Sequence, residues 1–319
     1  MRFTKLINKY WFAAGLVIVL ALTVADATES VSGLGRWFKL HLGAETAFLL
    51  IFFFSGLILD TRQINSESID IKVILIALAV IFLAAPVSAA LFIWSPLDVG
   101  IIAGLFLVAA MPTTVSSGVV MTTAAGGKLA HALMITILAN ALAIFTIPIT
   151  LGFLLPLIGG TTVIVIDKPA IMLKIALLVL APLGFGVFLQ LRLNDTVRLF
   201  ENKLQILNQI LILTIVWMGL SQSRPAILDS GSLIGIIVLV TAGFHAVLLL
   251  EAFGAARLFG LERGRRESII FMGSQKTLPL SIILQATYFP QYGQALVVCV
   301  VHHLVHLLID GYIVGKLRA

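Results

Sequence analysis

The sequence predicts an all-α polytopic membrane protein, with ten transmembrane helices arranged as two inverted five-helix repeats. Three observations lead there. The 319 residues are 60 % hydrophobic and 11 % charged, with a mean hydropathy of +1.11, which leaves too little polar surface to wrap a soluble core. Apolar runs of membrane-spanning length alternate with short charged patches. The two halves of the chain also echo each other at a nearly constant offset.

The expected spans run near 10–25, 44–59, 71–94, 98–124, 128–155, 169–190, 205–221, 231–256, 265–288 and 291–315. The first follows Arg2, Lys5 and Lys9 and precedes Ala25-Asp26-Ala27, which is also the form of a signal peptide and its cleavage site. The repeat needs this segment as a span, so it is expected to stay. Connections as short as "WSPLD" (94–98) and "AGGK" (125–128) imply tightly packed antiparallel neighbours. Fifteen of the 21 Lys and Arg residues fall on the side of the N-terminus, five fall opposite, and Lys276 lies inside a span. That bias places both termini in the cytoplasm.

Composition excludes other classes. The single cysteine, Cys299, sits in an apolar run, so there is no disulfide framework. The net charge of +6 is not gathered into a basic face with interleaved aromatics, so no nucleic-acid partner is expected. The lipid bilayer is the partner instead.

The repeat is carried by three matches. "FFFSGLIL" (52–59) answers "IVWMGLSQ" (215–222), with Gly56 and Gly219 163 residues apart. "MPTTVSSG" from Met111 answers "MGSQKTLP" from Met272, 161 residues on. Gly127 answers Gly293 at 166. Five spans per copy is odd, so the second copy, 161–319, enters from the face opposite to the first, 1–160.

In such folds the site lies where corresponding spans are broken by Gly or Pro. Here these are the fourth span around Pro112 and the ninth between Gly273 and Pro279. Two half-helix N-termini meeting at mid-membrane favour an anionic ligand. The first break carries Thr113, Thr114, Ser116 and Ser117, followed by Thr122 and Thr123. Such hydroxyls suit a sodium ion or a carboxylate, or they serve helix packing. "HHLVH" sets His302 and His306 at i, i+4 with Asp310 one turn on, a spacing that can hold zinc. It also imitates the zinc-protease motif, but His303 stands where the essential glutamate would be, so no enzyme is expected. Packing and interhelical hydrogen bonding are the alternative roles, as for His245, Asn140 and Glu251.

"MPTTVSSGVVMTTAAGG" together with "GSQKTLPLSI" resembles the bile acid:sodium symporter superfamily, in its divergent bile-acid-symporter-like subgroup of bacterial proteins and eukaryotic members linked to calcium homeostasis. The resemblance implies a core domain of spans 3–5 and 8–10, a panel domain of spans 1, 2, 6 and 7, and alternating access in a bacterial inner membrane. It implies substrate contacts at Thr113, Thr114, Ser116, Lys276 and Thr277, and ion contacts at Ser117, Gly118, Thr136 and Gln275. There are departures. Gly118 and Lys276 stand where sodium-coupled members place asparagines, Ala132 replaces a serine, Phe271 takes the position of the acidic ligand, and the third span offers only Ser88. Lys276 is therefore expected to fill the place of a bound cation, donating to Ser116 or Ser117 and to freed carbonyls while facing an anionic substrate. The expected function is secondary transport of a small organic anion coupled to Na⁺, to H⁺ or to neither, by a monomer or homodimer. The other reading is a regulator of cation homeostasis. No cofactor is implied beyond Na⁺ as a coupling ion.

Overall fold

The computed structural model describes residues 2–64, 69–158, 167–229 and 233–318, and every long regular element among them is a helix. In chain order these are α1 (Arg2–Val24), α2 (Ser30–Phe38), α3 (Ala44–Ile58), α4 (Ile71–Ala79), α5 (Ala85–Ala90), α6 (Val99–Ala110) and α7 (Ser117–Ala124). There follow α8 (Leu129–Leu154), α9 (Lys168–Ile175), α10 (Ala181–Asp229), α11 (Ile234–Leu258), α12 (Arg266–Ser274), α13 (Leu278–Tyr288) and α14 (Gly293–Arg318).

Among the described residues five helical stretches are long and apolar enough to cross a membrane: Ile71–Trp94, Leu129–Ile158, Lys168–Pro225, Ile234–Leu258 and Gly293–Leu317. A sixth is reached if Ser30–His41 and Ala44–Ile58, bent by 79°, form one span. The chain is an integral membrane protein. Fewer stretches pass this length test than the sequence spans would suggest, for local reasons. Trp11–Val24 and Val99–Ala110 are apolar but short, and the segments 98–124 and 265–288 are each split in two. Lys168–Pro225 errs the other way. Its 58 residues would reach about 87 Å if straight, far beyond a hydrocarbon core of about 30 Å, and Leu193 leaves helical geometry at φ −115°, ψ 26°.

Helix starts follow local chemistry. Asp70, Asp98 and Asp167 each accept a hydrogen bond from a first-turn N–H, at 3.0, 2.8 and 3.0 Å, and so cap α4, α6 and α9. A π turn, Val80–Ala84, joins α4 to α5 without ending the helix. The closest backbone crossing is between α3 and α10. A Cβ on Gly56 would lie 2.2 Å from the Leu183 carbonyl oxygen, and one on Gly186 would lie 2.2 Å from that of Phe53. Small residues here let two membrane helices touch backbone to backbone. The main apolar core runs through α3, α6, α8, α10, α11, α13 and α14, and α6, with every residue after Val99 buried, lies at its centre.

Candidate functional site

Two helix breaks meet inside this core. The first follows α6, where Met111 is extended (ψ 147°) and Pro112 has no N–H to continue the helix, and ends where α7 begins at Ser117. The second separates α12 from α13, with Gln275 and Thr277 extended at ψ 143° and 130°. Pro279 falls in the first turn of α13, where its missing N–H leaves nothing unsatisfied. The Thr277 N–H donates to the Pro112 carbonyl at 3.0 Å, joining the breaks directly.

Lys276 lies at this junction and is 2 % exposed. Its ammonium donates to the carbonyls of Ile81 (2.7 Å), Ala109 (3.0 Å) and Met111 (3.0 Å). One belongs to the π turn. The other two lie at the C-terminal end of α6, where carbonyls lack helical partners and the helix dipole is negative. An ammonium has three N–H groups, and all are engaged. The expected bonds to Ser116 or Ser117 are therefore not the ones it makes: backbone carbonyls from two helices take all three protons. Glu251, on α11, stands within electrostatic reach of Lys276 and accepts a hydrogen bond from Ser88, so it faces protein.

The hydroxyls of the first break form a separate cluster around Gln275. The Gln275 Oε1 accepts from Thr114 Oγ1 at 2.8 Å and Ser117 Oγ at 3.1 Å, and Ser117 shares its one proton with Thr114 Oγ1 at 3.0 Å. Thr114 Oγ1 also accepts the Gly118 N–H at 2.8 Å. A Cβ on Gly118 would lie 2.9 Å from Thr114 Oγ1 and 3.0 Å from Met272 Sδ. The room that an asparagine would need at Gly118 is already filled by this cluster. Thr136 turns away, its hydroxyl back-bonded to the Ala132 carbonyl at 2.8 Å. Thr113 is fully buried, and its hydroxyl has no hydrogen-bond partner among the described residues. Thr123 bonds back along its own helix, as a packing residue does.

From Gln275 a polar chain continues into α14. The Gln275 Nε2 donates to Asp310 Oδ2 at 2.8 Å, and Asp310 Oδ1 meets His245 Nε2 of α11 at 2.9 Å. His306 lies 3.8 Å from Asp310 Oδ2 and hydrogen-bonds His303 Nδ1 at 2.8 Å. Asp310 thus ties α14 to α11 and to the second break, while His306 pairs with His303 on its own helix. Among the described residues no three His, Cys, Asp or Glu side chains are arranged to hold a metal ion.

A cavity of about 510 Å³ opens beside the breaks. Thr114, Ser116, Ser117 and Thr277 line one side; Asn208 and His303 also line it. Thr113, Gly118, Thr136, Gln275 and Lys276 do not. The lining includes Gln205, Asn208 and Gln209, three amides on one face of α10 that the motif reading passed over. Their i, i+3, i+4 spacing within an apolar span was the available signal. A second cavity of about 370 Å³ shares Ser55, Ser116, Val120 and Gln205 with the first and reaches Asp60 and Arg198. Burial pulls the Asp60 carboxyl upward. Hydrogen bonds from Gln63, Gln190 and the Arg62 N–H, together with the Arg198 charge, outweigh it and hold the group below the ordinary carboxylate value.

Comparison with known proteins bears on what such a site belongs to. Residues 10–319 match the model of the SBF-like CPA transporter family. "Sodium/bile acid cotransporter 7-A" of Xenopus laevis is 24 % identical over 330 residues, covering 100 % of this chain and 94 % of that protein. The rat "Sodium/bile acid cotransporter 7" is likewise 24 % identical, over 100 % of this chain and 95 % of its own. "Probable sodium/metabolite cotransporter BASS4, chloroplastic" of Arabidopsis thaliana is 29 % identical over 83 % of this chain, which spans only 64 % of that plant protein's length. The chain belongs to the SBF-like CPA transporter family, within the bile acid:sodium symporter superfamily that its two break motifs resemble.

Proposed function

We propose that the protein is a secondary transporter of a small organic anion that works by alternating access. In this reading ten spans form two inverted repeats, 1–160 and 161–319, in a bacterial plasma membrane with both termini cytoplasmic. The substrate occupies the cavity beside the breaks, with its anionic end against Thr114, Ser116 and Thr277. There the N-termini of α7 and α13 supply partial positive charge. Thr113 and Lys276 act from the next layer. The observation that carries the reading is the contact between the breaks. Two interrupted helices joined by Thr277 N–H to Pro112 carbonyl, with a cavity on their exposed side, have the form of a mid-membrane transporter site.

Lys276 sharpens the question of coupling. Three carbonyl oxygens at 2.7 to 3.0 Å around one buried positive charge are a cation's coordination shell built with an ammonium. Its field reaches the substrate although its protons do not. Ser117, Gly118 and Gln275, which the family resemblance offers as ion ligands, are closed into their own hydrogen bonds, and Thr136 is turned away. The coupling ion is therefore either H⁺ or a Na⁺ held outside these positions, with an uncoupled carrier as the limiting case.

Purified protein in proteoliposomes, offered labelled organic anions under an imposed Na⁺, H⁺ or zero gradient, tests this. Uptake that persists with Na⁺ absent on both sides is the expected result. Strict dependence on a Na⁺ gradient would exclude H⁺ coupling and the uncoupled carrier, leaving a Na⁺ held outside Ser117, Gly118, Thr136 and Gln275. No uptake under any gradient would overturn the transporter and favour a regulator of cation homeostasis.

A further inference from the structure

The wall of the 510 Å³ cavity includes a polar stripe that the proposed mechanism does not use. Gln205, Asn208 and Gln209 lie on one face of α10, in a segment otherwise apolar enough for a membrane span. Asn208 is the most confined of the three, at 6 % exposed. Its Nδ2 donates to Ser55 Oγ of α3 at 3.0 Å, which fixes the carboxamide against a second helix. Its Oδ1, buried and at the cavity wall, has no hydrogen-bond partner among the described residues. A buried carbonyl oxygen in a membrane protein is seldom left unmatched, because no bulk water reaches it. One held in place by a neighbour, on a residue that lines a cavity, is a preorganised acceptor.

The rest of the wall narrows what can fill that cavity. Among the described residues no Asp, Glu, Lys or Arg lines it. Ile51, Phe52, Ile58, Ile212, Leu278 and Leu307 make most of its surface apolar. The polar groups gather at the hydroxyls of the breaks and at the amides of α10 with Ser55, and His303 of α14 adds an imidazole. We propose that Asn208, positioned by Ser55, is a specificity-determining residue that accepts a hydrogen bond from a hydroxyl or amide N–H on the body of the substrate. The ligand is then an amphipathic anion with its charged end at the breaks and an uncharged donor on its other side. This rests on the reading of the cavity as the substrate site. A site built to bond a donor rejects the analogue lacking it, since the carbonyl is again left unmatched.

The test uses matched pairs that differ by one hydroxyl far from the carboxylate: lithocholate against 5β-cholanate, and 6-hydroxyhexanoate against hexanoate. Affinities are measured by calorimetry on the purified full chain, wild type and variants. Wild type should prefer the hydroxylated member of at least one pair by about tenfold, the worth of one hydrogen bond. Asn208→Leu should bring that ratio to about one while binding the hydroxyl-free member as well as wild type does. Ser55→Ala, which frees the amide but removes only one small group, should give an intermediate ratio and serves if the leucine variant does not fold. A ratio unchanged in both variants overturns the proposal and leaves the organic-anion site standing, as does equal binding of both members by wild type. Failure of wild type to bind any of the four overturns the cavity as an organic-anion site and the subsite with it.

Discussion

The two helix breaks are built from the same event, a helix stopped and restarted beside a proline, yet they do opposite things. At 111–116 the chain reaches the cavity: Ser116 is exposed and Ser117 partly so. At 275–277 it is buried throughout, and every residue from Ser268 to Gln285 is closed off from solvent. The first break turns hydroxyls to the cavity, where the proposed function places the ligand. The second holds the scaffold, with the Gln275 amide gathering the hydroxyls and the Lys276 ammonium gathering the carbonyls. One break is chiefly for contact and the other, apart from Thr277 at the cavity wall, for preorganisation, and substitutions should separate the two.

The largest effect is expected at Lys276. Lys276→Met leaves the carbonyls of Ile81, Ala109 and Met111 without their donor, at a cost on the order of 3 kcal/mol or more. Denaturant unfolding in detergent should show it, together with lost uptake, and a variant as stable and active as wild type would sink the account. Gly118→Asn comes next. Its Cβ would fall 3.0 Å from Met272 Sδ and 2.9 Å from Thr114 Oγ1, so overpacking of about 1–3 kcal/mol should follow. A gain of Na⁺-dependent stabilisation in that variant would show instead that the cluster can open into an ion site.

The serines then divide the contact break from within. Ser117→Ala removes a donor to Gln275 and Thr114 and should cost about 1 kcal/mol in unfolding experiments. Ser116→Ala touches no hydrogen bond of the cluster and should leave stability within about 0.5 kcal/mol while still lowering uptake. Equal effects of the two on stability would erase the distinction. The smallest effect lies at the rim of the second cavity. The Asp60 carboxyl is held below its ordinary value, so its contribution is complete above about pH 4 and is lost as pH falls through the depressed folded value. Asp60→Asn should lower the melting temperature slightly at pH 7 and by less as pH falls below about 4, the reverse of the trend for a group stabilised by protonation.

Much of this was legible in the residues themselves. Pro112 and Pro279 announce the breaks because a ring without an N–H interrupts a helix wherever it sits, and Ser116, Ser117 and Thr277 follow from their nearness to those breaks. Asn208 was legible in principle, since an amide in an apolar span asks for a partner, but nothing in a linear chain tells a packing amide from one facing a cavity. The use made of His302, His306 and Asp310 stayed open for a related reason. One helix face can present three ligands, but whether they converge depends on the neighbour, and here His245 and Gln275 take both Asp310 oxygens.

By itself the sequence determined the solvent of this protein, its helical class, its two interruptions and its family, because hydropathy, proline and short motifs act within a few residues of where they stand. Only the tertiary structure decided what Lys276 holds. Its partners lie 165 to 195 residues away and are backbone carbonyls, which every residue possesses and no side-chain pattern marks. A buried charge can be seen in a sequence, but the oxygens that make its burial affordable are set by where a π turn and a helix end come to rest.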